Sequence, residues 1–174
     1  KGLSSSAAIT VLTARAFNRI YDLKMTIRGE MEYAYMGEIT TPSRCGRMDQ
    51  GCAYGNRPIM MIFDGDRSDV KEISIPKSMF FVVVDLCAGK DTREILNQLN
   101  HCYPFAKTDT HRQVQKYLGP VSAGITKEAM EAMRQGDAEK IGRLMVRAQA
   151  EFDRYVIPAC PGELTAPVLH KVLR

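Results

Sequence analysis

The sequence has no hydrophobic run long enough to cross a membrane as a helix. Its longest apolar run, MFFVVV at residues 79–84, has the length of a single buried strand. A secretory signal pattern is also missing, because the opening letters KGLS lead directly into an amphipathic segment. We therefore expect a chain that is neither inserted into a membrane nor secreted.

The cysteines and histidines lack the spacing of a metal site or a disulfide framework. There are five cysteines, widely separated and without a CxxC pair. The three histidines, His101, His111 and His170, stand at unrelated spacings. These patterns favour free thiols in a reducing compartment, and we predict a cytoplasmic protein whose histidines bind no metal.

The basic residues form no run or stripe. The net charge is +4, from 24 lysines and arginines against 20 acidic residues. Nucleic acid is therefore not an expected partner. The composition, 45% hydrophobic and 25% charged, is that of an ordinary soluble globular protein. The small positive excess would suit an anionic ligand but does not establish one.

Hydrophobic periodicity predicts helices mixed with a few strands. The predicted helices cover residues 4–20, 26–39, 92–100, 110–118, 126–136, 137–155 and 164–174, and the predicted strands cover 59–63, 70–75 and 79–86. Regular βαβ alternation and internal repeats are absent, so the pattern indicates an α+β fold. The stretch PKS at residues 76–78 resembles a boundary between two parts. Both ends of the sequence resemble cuts, and we expect an internal piece of a longer protein.

The stretch GLSSSAA, residues 2–8, puts three serines where the first helix begins. A helix N-terminus carries unpaired N–H groups and partial positive charge, so it attracts phosphate. The preceding glycine permits close approach of an oxyanion, and a serine hydroxyl can also bind Mg²⁺. The run is not a Walker A loop, because no Gly-Lys-Ser/Thr follows. Simple capping of the helix by a serine hydroxyl explains the run equally well.

A second stretch places Glu38 at the end of a predicted helix and Asp49 in the glycine-bearing segment CGRMDQ. Taken alone, such a glutamate is usually solvated and such an aspartate usually forms a turn. Together, however, the two stretches resemble motifs of the GHMP kinase superfamily. GLSSSAA is similar to its serine-rich ATP phosphate loop, and CGRMDQ is similar to the CG-x-MDQ of galactokinases. The Pro-Ser at 42–43 and the step from Glu38 to Asp49 also fit the mevalonate kinase branch.

The resemblance implies a GHMP kinase fold in two partial domains. Residues 1–77 would be the remainder of the N-terminal ATP-binding domain, which is ribosomal S5 domain 2-like. Residues 78–174 would be part of a ferredoxin-like C-terminal domain. The family's N-terminal motif and its third, glycine-rich motif are not found in this sequence. We therefore expect the isolated 174-residue segment not to turn over ATP.

The resemblance also implies roles for individual residues. Asp49 would be the catalytic carboxylate, acting as base or orienter. Ser6 and Glu38 would bind Mg²⁺. The ATP phosphates would be held by Gly2, Leu3, Ser4, Ser5, Ser6 and Ala7, and also by Thr92, which belongs to the segment GKDTRE at residues 89–94. That segment is similar to an Asn-Thr-Arg of mevalonate kinases, but a capped helix start explains it equally well.

The function implied by the resemblance is ATP- and Mg²⁺-dependent phosphorylation of a hydroxyl on a small metabolite. The MDQ letters favour a sugar, whereas the mevalonate kinase-like elements favour a mevalonate-like alcohol. The main alternative is a non-catalytic relative that binds sugars in a regulatory role, and a family decarboxylase is a weaker one. The presence of the serine run, Glu38 and Asp49 favours catalysis. The sequence does not indicate the oligomeric state.

Overall fold

The computed structural model describes residues 3–41, 46–65 and 67–173. The chain divides into two compact units, Lys1–Ile73 and Ser74–Arg174. Each unit has a hydrophobic cluster of its own. Helices accompanied by one two-stranded antiparallel sheet fit the predicted α+β class. No helix within the described residues is both long and apolar enough to traverse a lipid bilayer.

The first unit is built on two packed helices, α1 (Ser5–Ile20) and α2 (Ile27–Glu38). Both lie close to their predicted positions, because their apolar residues recur with helical spacing. Thr26 caps α2, its side chain accepting a hydrogen bond from the backbone N–H of Gly29. The core joins the two helices to the segment that follows them, through Val11, Met31, Ala34 and Ala53.

A 3₁₀ turn, Asp49–Tyr54, follows α2 and leads into a β-hairpin. The hairpin pairs β1 (Ile59–Asp64) with β2 (Arg67–Glu72), with Met61 opposite Val70. Gly51 lies tightly against β1, since a Cβ there would come within 3.0 Å of the Met61 sulfur. The 3₁₀ turn is thereby seated on the hairpin as well as on the helices.

The hairpin differs from the prediction in its second strand. That strand was predicted over residues 70–75, but β2 begins at Arg67. Asp64 pairs directly with Arg67, so only two residues connect the strands. Such short connections are the commonest in hairpins, and here both strands extend closer to the turn than the sequence pattern predicts.

The second unit is helical in its described part. Its helices are α3 (Thr92–Asn100), α4 (Asp109–Lys116), α5 (Ser122–Gln135), α6 (Ala138–Tyr155), α7 (Pro161–Leu164) and α8 (Pro167–Val172). Asp91 and Asp137 cap α3 and α6 through their carboxylates. Gly136 ends α5 in the left-handed conformation, at φ 67°, as expected of a glycine at a helix C-terminus. The core gathers Ile95, Tyr155, Val156, Cys160 and Leu164.

Two helix boundaries in this unit were predicted wrongly. The helix predicted to begin at Thr126 starts earlier, at Ser122. It follows a kink at Gly119, where φ −96° and ψ −105° are not helical, just before Pro120. The helix predicted over 164–174 begins only at Pro167, as α8, and Leu164 is instead the last residue of α7.

The buried strand predicted over residues 79–86 is wrong for this structure. Residues 79–86 form no strand, and Phe80 and Val82 are 93% and 91% exposed. A strand needs a neighbour to accept and donate its backbone hydrogen bonds, and the described part of this unit contains none. The predicted ferredoxin-like arrangement is therefore not confirmed.

Candidate functional site

The serine run lies at the amino end of α1 in an unusual backbone conformation. Ser4 precedes the helix with φ 49° and ψ 46°, which is the left-handed region that disfavours residues with a Cβ. Its side chain makes no capping hydrogen bond, while its carbonyl accepts from the N–H of Ala8. Capping by the Ser4 hydroxyl, which the sequence suggested, is therefore wrong. Strained backbone of this kind is found disproportionately at binding sites.

The residues that follow Ser4 differ in their exposure to solvent. Ser5 and Ser6 are exposed, whereas Ala7 is fully buried and fixes the first turn against the core. The first N–H groups of a helix have no partner within the helix. The amino end of α1 therefore offers hydroxyl and N–H donors together with the partial positive charge of the helix.

The carboxylate of Glu38 connects this helix start to the 3₁₀ turn. Ser6 Oγ donates to Glu38 Oε1 at 2.6 Å, and Gln50 Nε2 donates to Glu38 Oε2 at 2.7 Å. Glu38 is only 1% exposed and Gln50 is 0% exposed. One buried carboxylate is thus fastened to two segments that are far apart in sequence.

Asp49 is the first residue of the 3₁₀ turn and lies half-buried beside Gln50 in the chain. Arg47, just before it, forms an ion pair with Glu32 at 3.6 Å and lies 4.7 Å above the ring of Tyr35. Both partners are on α2, so the backbone segment just before Asp49 is attached to that helix. The Glu38 and Arg47 contacts hold the start of the turn on α2.

The other end of the turn is held by Arg15 of α1. Its guanidinium donates to the carbonyl of Ala53 at 2.6 Å and to Glu30 Oε2 at 2.8 Å. Asn18 donates to the second oxygen of Glu30 at 2.9 Å and also to the carbonyl of Met25. The turn bearing Asp49 is therefore braced from both helices.

The electrostatics of Glu30 agree with this role as a brace. Burial alone raises the pKa of the Glu30 carboxyl. Hydrogen bonds from Arg15 and Asn18, together with the positive charge of Arg15, outweigh burial and bring the pKa below its ordinary value. Glu30 is thus ionised at neutral pH and forms an ion pair with Arg15.

The pair Ser6 and Glu38 has the donor chemistry for Mg²⁺, which prefers oxygen ligands and keeps several of its waters. Neighbouring ligands of an octahedral Mg²⁺ lie about 2.9 Å apart, given metal–oxygen distances of roughly 2.1 Å. Ser6 Oγ and Glu38 Oε1 are 2.6 Å apart, so a small increase in this distance would let both atoms contact one ion. No group of three or more His, Cys, Asp or Glu side chains gathers in the described ranges. The ion would thus take its remaining ligands from water and nucleotide.

An apolar groove of about 560 Å³ lies between α1 and α2. It is lined by Thr10, Phe17, Leu23 and Tyr33 among others, and extends to Gly37 beside Glu38. It offers few polar groups. Its chemistry does not suit a triphosphate, so the groove and the serine run are different features.

Several predicted site residues are placed elsewhere or are not described. Gly2 and the Pro-Ser at 42–43 lie outside the described residues, and Leu3 is exposed just before the serines. Thr92 is the first residue of α3 in the second unit. There Asp91 accepts hydrogen bonds from the N–H groups of Arg93 and Glu94, which is the capped helix start that the sequence left open.

Sequence reasoning gave no role to Gln50, Arg15 or Glu30. For Gln50 a signal was present, since it closes the quoted letters MDQ. For Arg15 and Glu30 the sequence shows only charged residues on two predicted helices. Their pairing depends on how α1 and α2 pack, which periodicity does not specify.

Residues 1–56 match the family described as GHMP kinases N terminal domain. The matched range contains the serine run, Glu38, Asp49 and Gln50. No solved structure matches the chain. The predicted resemblance is thus confirmed for residues 1–56, which match the N-terminal domain of GHMP kinases.

Proposed function

We propose that the protein is an ATP-dependent phosphotransferase that moves the γ-phosphate of ATP to a hydroxyl of a small metabolite. The family match supports a small-molecule kinase in general. The acceptor is proposed to be a sugar or a mevalonate-like alcohol. The single observation that carries the proposal is the hydrogen bond from Ser6 to the buried Glu38 at the amino end of α1.

In this proposal the amino end of α1 binds the phosphates. Ser4, Ser5 and the first N–H groups of the helix donate to phosphate oxygens, and the helix dipole stabilises their negative charge. The left-handed backbone at Ser4 supports this, because it turns successive N–H groups toward one side. Gly2, Leu3 and Ala7 are proposed as further ATP-binding residues, and so is Thr92.

Ser6 and Glu38 would hold Mg²⁺, both presenting oxygen atoms. When bound, the ion would neutralise charge on the phosphate oxygens. The burial of Glu38 restricts the rotamers of the side chain, so that it presents one oxygen beside Ser6. Most of the rate gain in phosphoryl transfer comes from such positioning and charge stabilisation.

Asp49 is proposed to orient or deprotonate the accepting hydroxyl. It lies half-buried at the start of a braced turn, whose contacts reduce the freedom of the carboxylate. A positioned general base contributes on the order of 10²–10⁴-fold in rate. The assignment of residues 1–77 to the N-terminal domain and 78–174 to the C-terminal domain belongs to the same proposal.

The test is phosphorylation by the full-length protein, with Mg²⁺ and ATP and a panel of sugars, mevalonate and homoserine. We expect ADP release with one class of acceptor. The Asp49→Asn variant should lose roughly two or more decades of kcat, since the amide cannot accept the proton. Asp64→Asn, on the exposed end of β1, is the matched control and should keep the wild-type rate.

Two results would contradict the proposal. Equal kcat for the wild type and Asp49→Asn would remove Asp49 from the chemistry. Binding of a sugar without acceptor-dependent ADP release would instead support the regulatory, non-catalytic alternative. ADP measured by a coupled assay and sugar binding measured by calorimetry separate the two results.

A further inference from the structure

Gln50 is a fully buried amide whose hydrogen-bonding groups are only partly satisfied. Its Nε2 donates to Glu38 at 2.7 Å, while its Oε1 is buried and accepts no hydrogen bond. A buried acceptor without a partner costs free energy that an apolar side chain of the same volume would avoid. Packing alone therefore does not explain a glutamine at this position.

The contact that Gln50 does make is directed at the Glu38 carboxylate. Ser6 holds one oxygen of that carboxylate and Gln50 holds the other. A donor to each of the two oxygens fixes the orientation of the carboxylate plane. The oxygen beside Ser6 is also the one proposed to face the metal, so Gln50 holds the oxygen that points away from it.

We propose that Gln50 is a positioning residue for the divalent cation, acting through Glu38. This inference rests on the proposed function of Ser6 and Glu38. The amide fixes the orientation of Glu38 and links it to the turn that begins at Asp49. Gln50 follows Asp49 directly in that turn. It therefore links Glu38, which is proposed to hold the cation, to the carboxylate that is proposed to face the acceptor. Partners that orient a metal ligand typically change metal affinity by about 10–100-fold when removed.

The test measures binding, so it does not depend on turnover. The dissociation constants of ADP with Mn²⁺ and of ADP alone are measured by calorimetry on the full-length protein. Gln50→Met keeps the volume and removes the donor. Gln50→Asn keeps the amide but shortens it by one methylene, beyond reach of Glu38. Both variants should weaken binding of ADP with Mn²⁺ about tenfold or more, while leaving metal-free ADP binding within about twofold.

A double variant tests whether Gln50 acts through Glu38. Glu38→Gln alone should remove most of the metal-dependent affinity. Adding Gln50→Met to it should cause no further loss, because the group through which Gln50 acts is already gone. Val11→Ala, in the core of the same unit, is the control for general destabilisation. It should lower the melting temperature without changing the ratio of the two dissociation constants.

The outcomes separate this inference from the proposed function. Wild-type affinity for ADP with Mn²⁺ in both Gln50 variants, or fully additive losses in the double variant, overturns the inference alone. A wild-type protein whose ADP affinity does not respond to Mn²⁺ overturns both. A Val11→Ala variant that shows the same metal defect means that Gln50 acts only through stability, and this also overturns the inference.

Discussion

At the residue scale, the site depends on two buried carboxylates with different partners. Glu38 is held by a hydroxyl and an amide, whereas Glu30 is held by the Arg15 guanidinium and an amide. Buried carboxylates without such partners would be unfavourable. Glu38 belongs to the proposed metal site, and Glu30 braces the turn that carries Asp49. The same residue type is thus proposed to bind metal at one position and stabilises the fold at the other.

The low pKa of Glu30 predicts a pH dependence of stability. A carboxyl whose pKa is lower in the folded state stabilises the protein above its unfolded pKa, about 4.3 for glutamate. That stability is lost as the pH falls through the lower, folded pKa. Glu30→Gln should cost roughly 1.5–3 kcal/mol near neutral pH, because it weakens charged hydrogen bonds. The difference from wild type should shrink as the solution is acidified.

Urea unfolding of the wild type and of Glu30→Gln across this pH range measures the effect. Arg15→Met provides the complementary variant, since burial then acts on Glu30 without its main partner. Burial then favours the protonated form of Glu30, so the stability lost by Arg15→Met relative to wild type should be largest near neutral pH and shrink as the pH falls. A constant difference between wild type and Glu30→Gln at every pH would show that Glu30 does not titrate as described.

At the element scale, α1 and α2 begin in different ways. Thr26 caps α2 by accepting the N–H of Gly29, whereas Ser4 precedes α1 in left-handed backbone and its hydroxyl caps nothing. Threonine and serine are both residue types preferred at the position before a helix. Only the backbone conformation distinguishes the capped start of α2 from the uncapped start of α1, which is proposed to bind phosphate.

This contrast predicts that two alanine substitutions affect different properties of the protein. Thr26→Ala should destabilise the protein by about 1 kcal/mol, the usual value for a lost cap. Ser4→Ala should change stability by less than about 0.5 kcal/mol, because the Ser4 hydroxyl caps nothing, but weaken ADP binding. Thermal unfolding and calorimetry with ADP measure the two effects. Equal destabilisation by both would contradict the different roles of the two helix starts.

At the scale of the whole molecule, large apolar side chains remain exposed in both units. In the second unit, residues 79–84 are mostly exposed although they have the composition of a core strand. Exposed segments rich in valine and phenylalanine promote aggregation by strand pairing. The sheet that this composition predicts is not formed in the described residues of that unit.

This exposure predicts a gain in solubility without a change in stability. In the 174-residue chain, Val82→Lys should reduce light scattering at high concentration. It should alter the free energy of unfolding by less than about 0.5 kcal/mol, because the side chain is 91% exposed. A matched buried substitution, Val156→Lys, should instead prevent folding of its unit. A large loss of stability from Val82→Lys would show that the segment is packed.

The local features of this protein were accessible from the sequence. Periodicity located α1, α2, α3 and α6, and side-chain chemistry identified Asp137 and Gly136 as helix boundaries. The serine run, Glu38 and Asp49 were recognised because the donors and carboxylates of a phosphate site are carried by short motifs. These features depend on residues near one another in the chain.

Only the tertiary structure decided the contacts that join distant segments. The Ser6–Glu38–Gln50 chain, the Arg15–Glu30 brace and the exposure of residues 79–86 each depend on how elements pack. The left-handed backbone at Ser4 and the early start of α5 are also outcomes that residue preferences do not dictate. The physical reason is that hydrogen bonding and burial depend on neighbours in space, whereas a sequence pattern reports only neighbours along the chain.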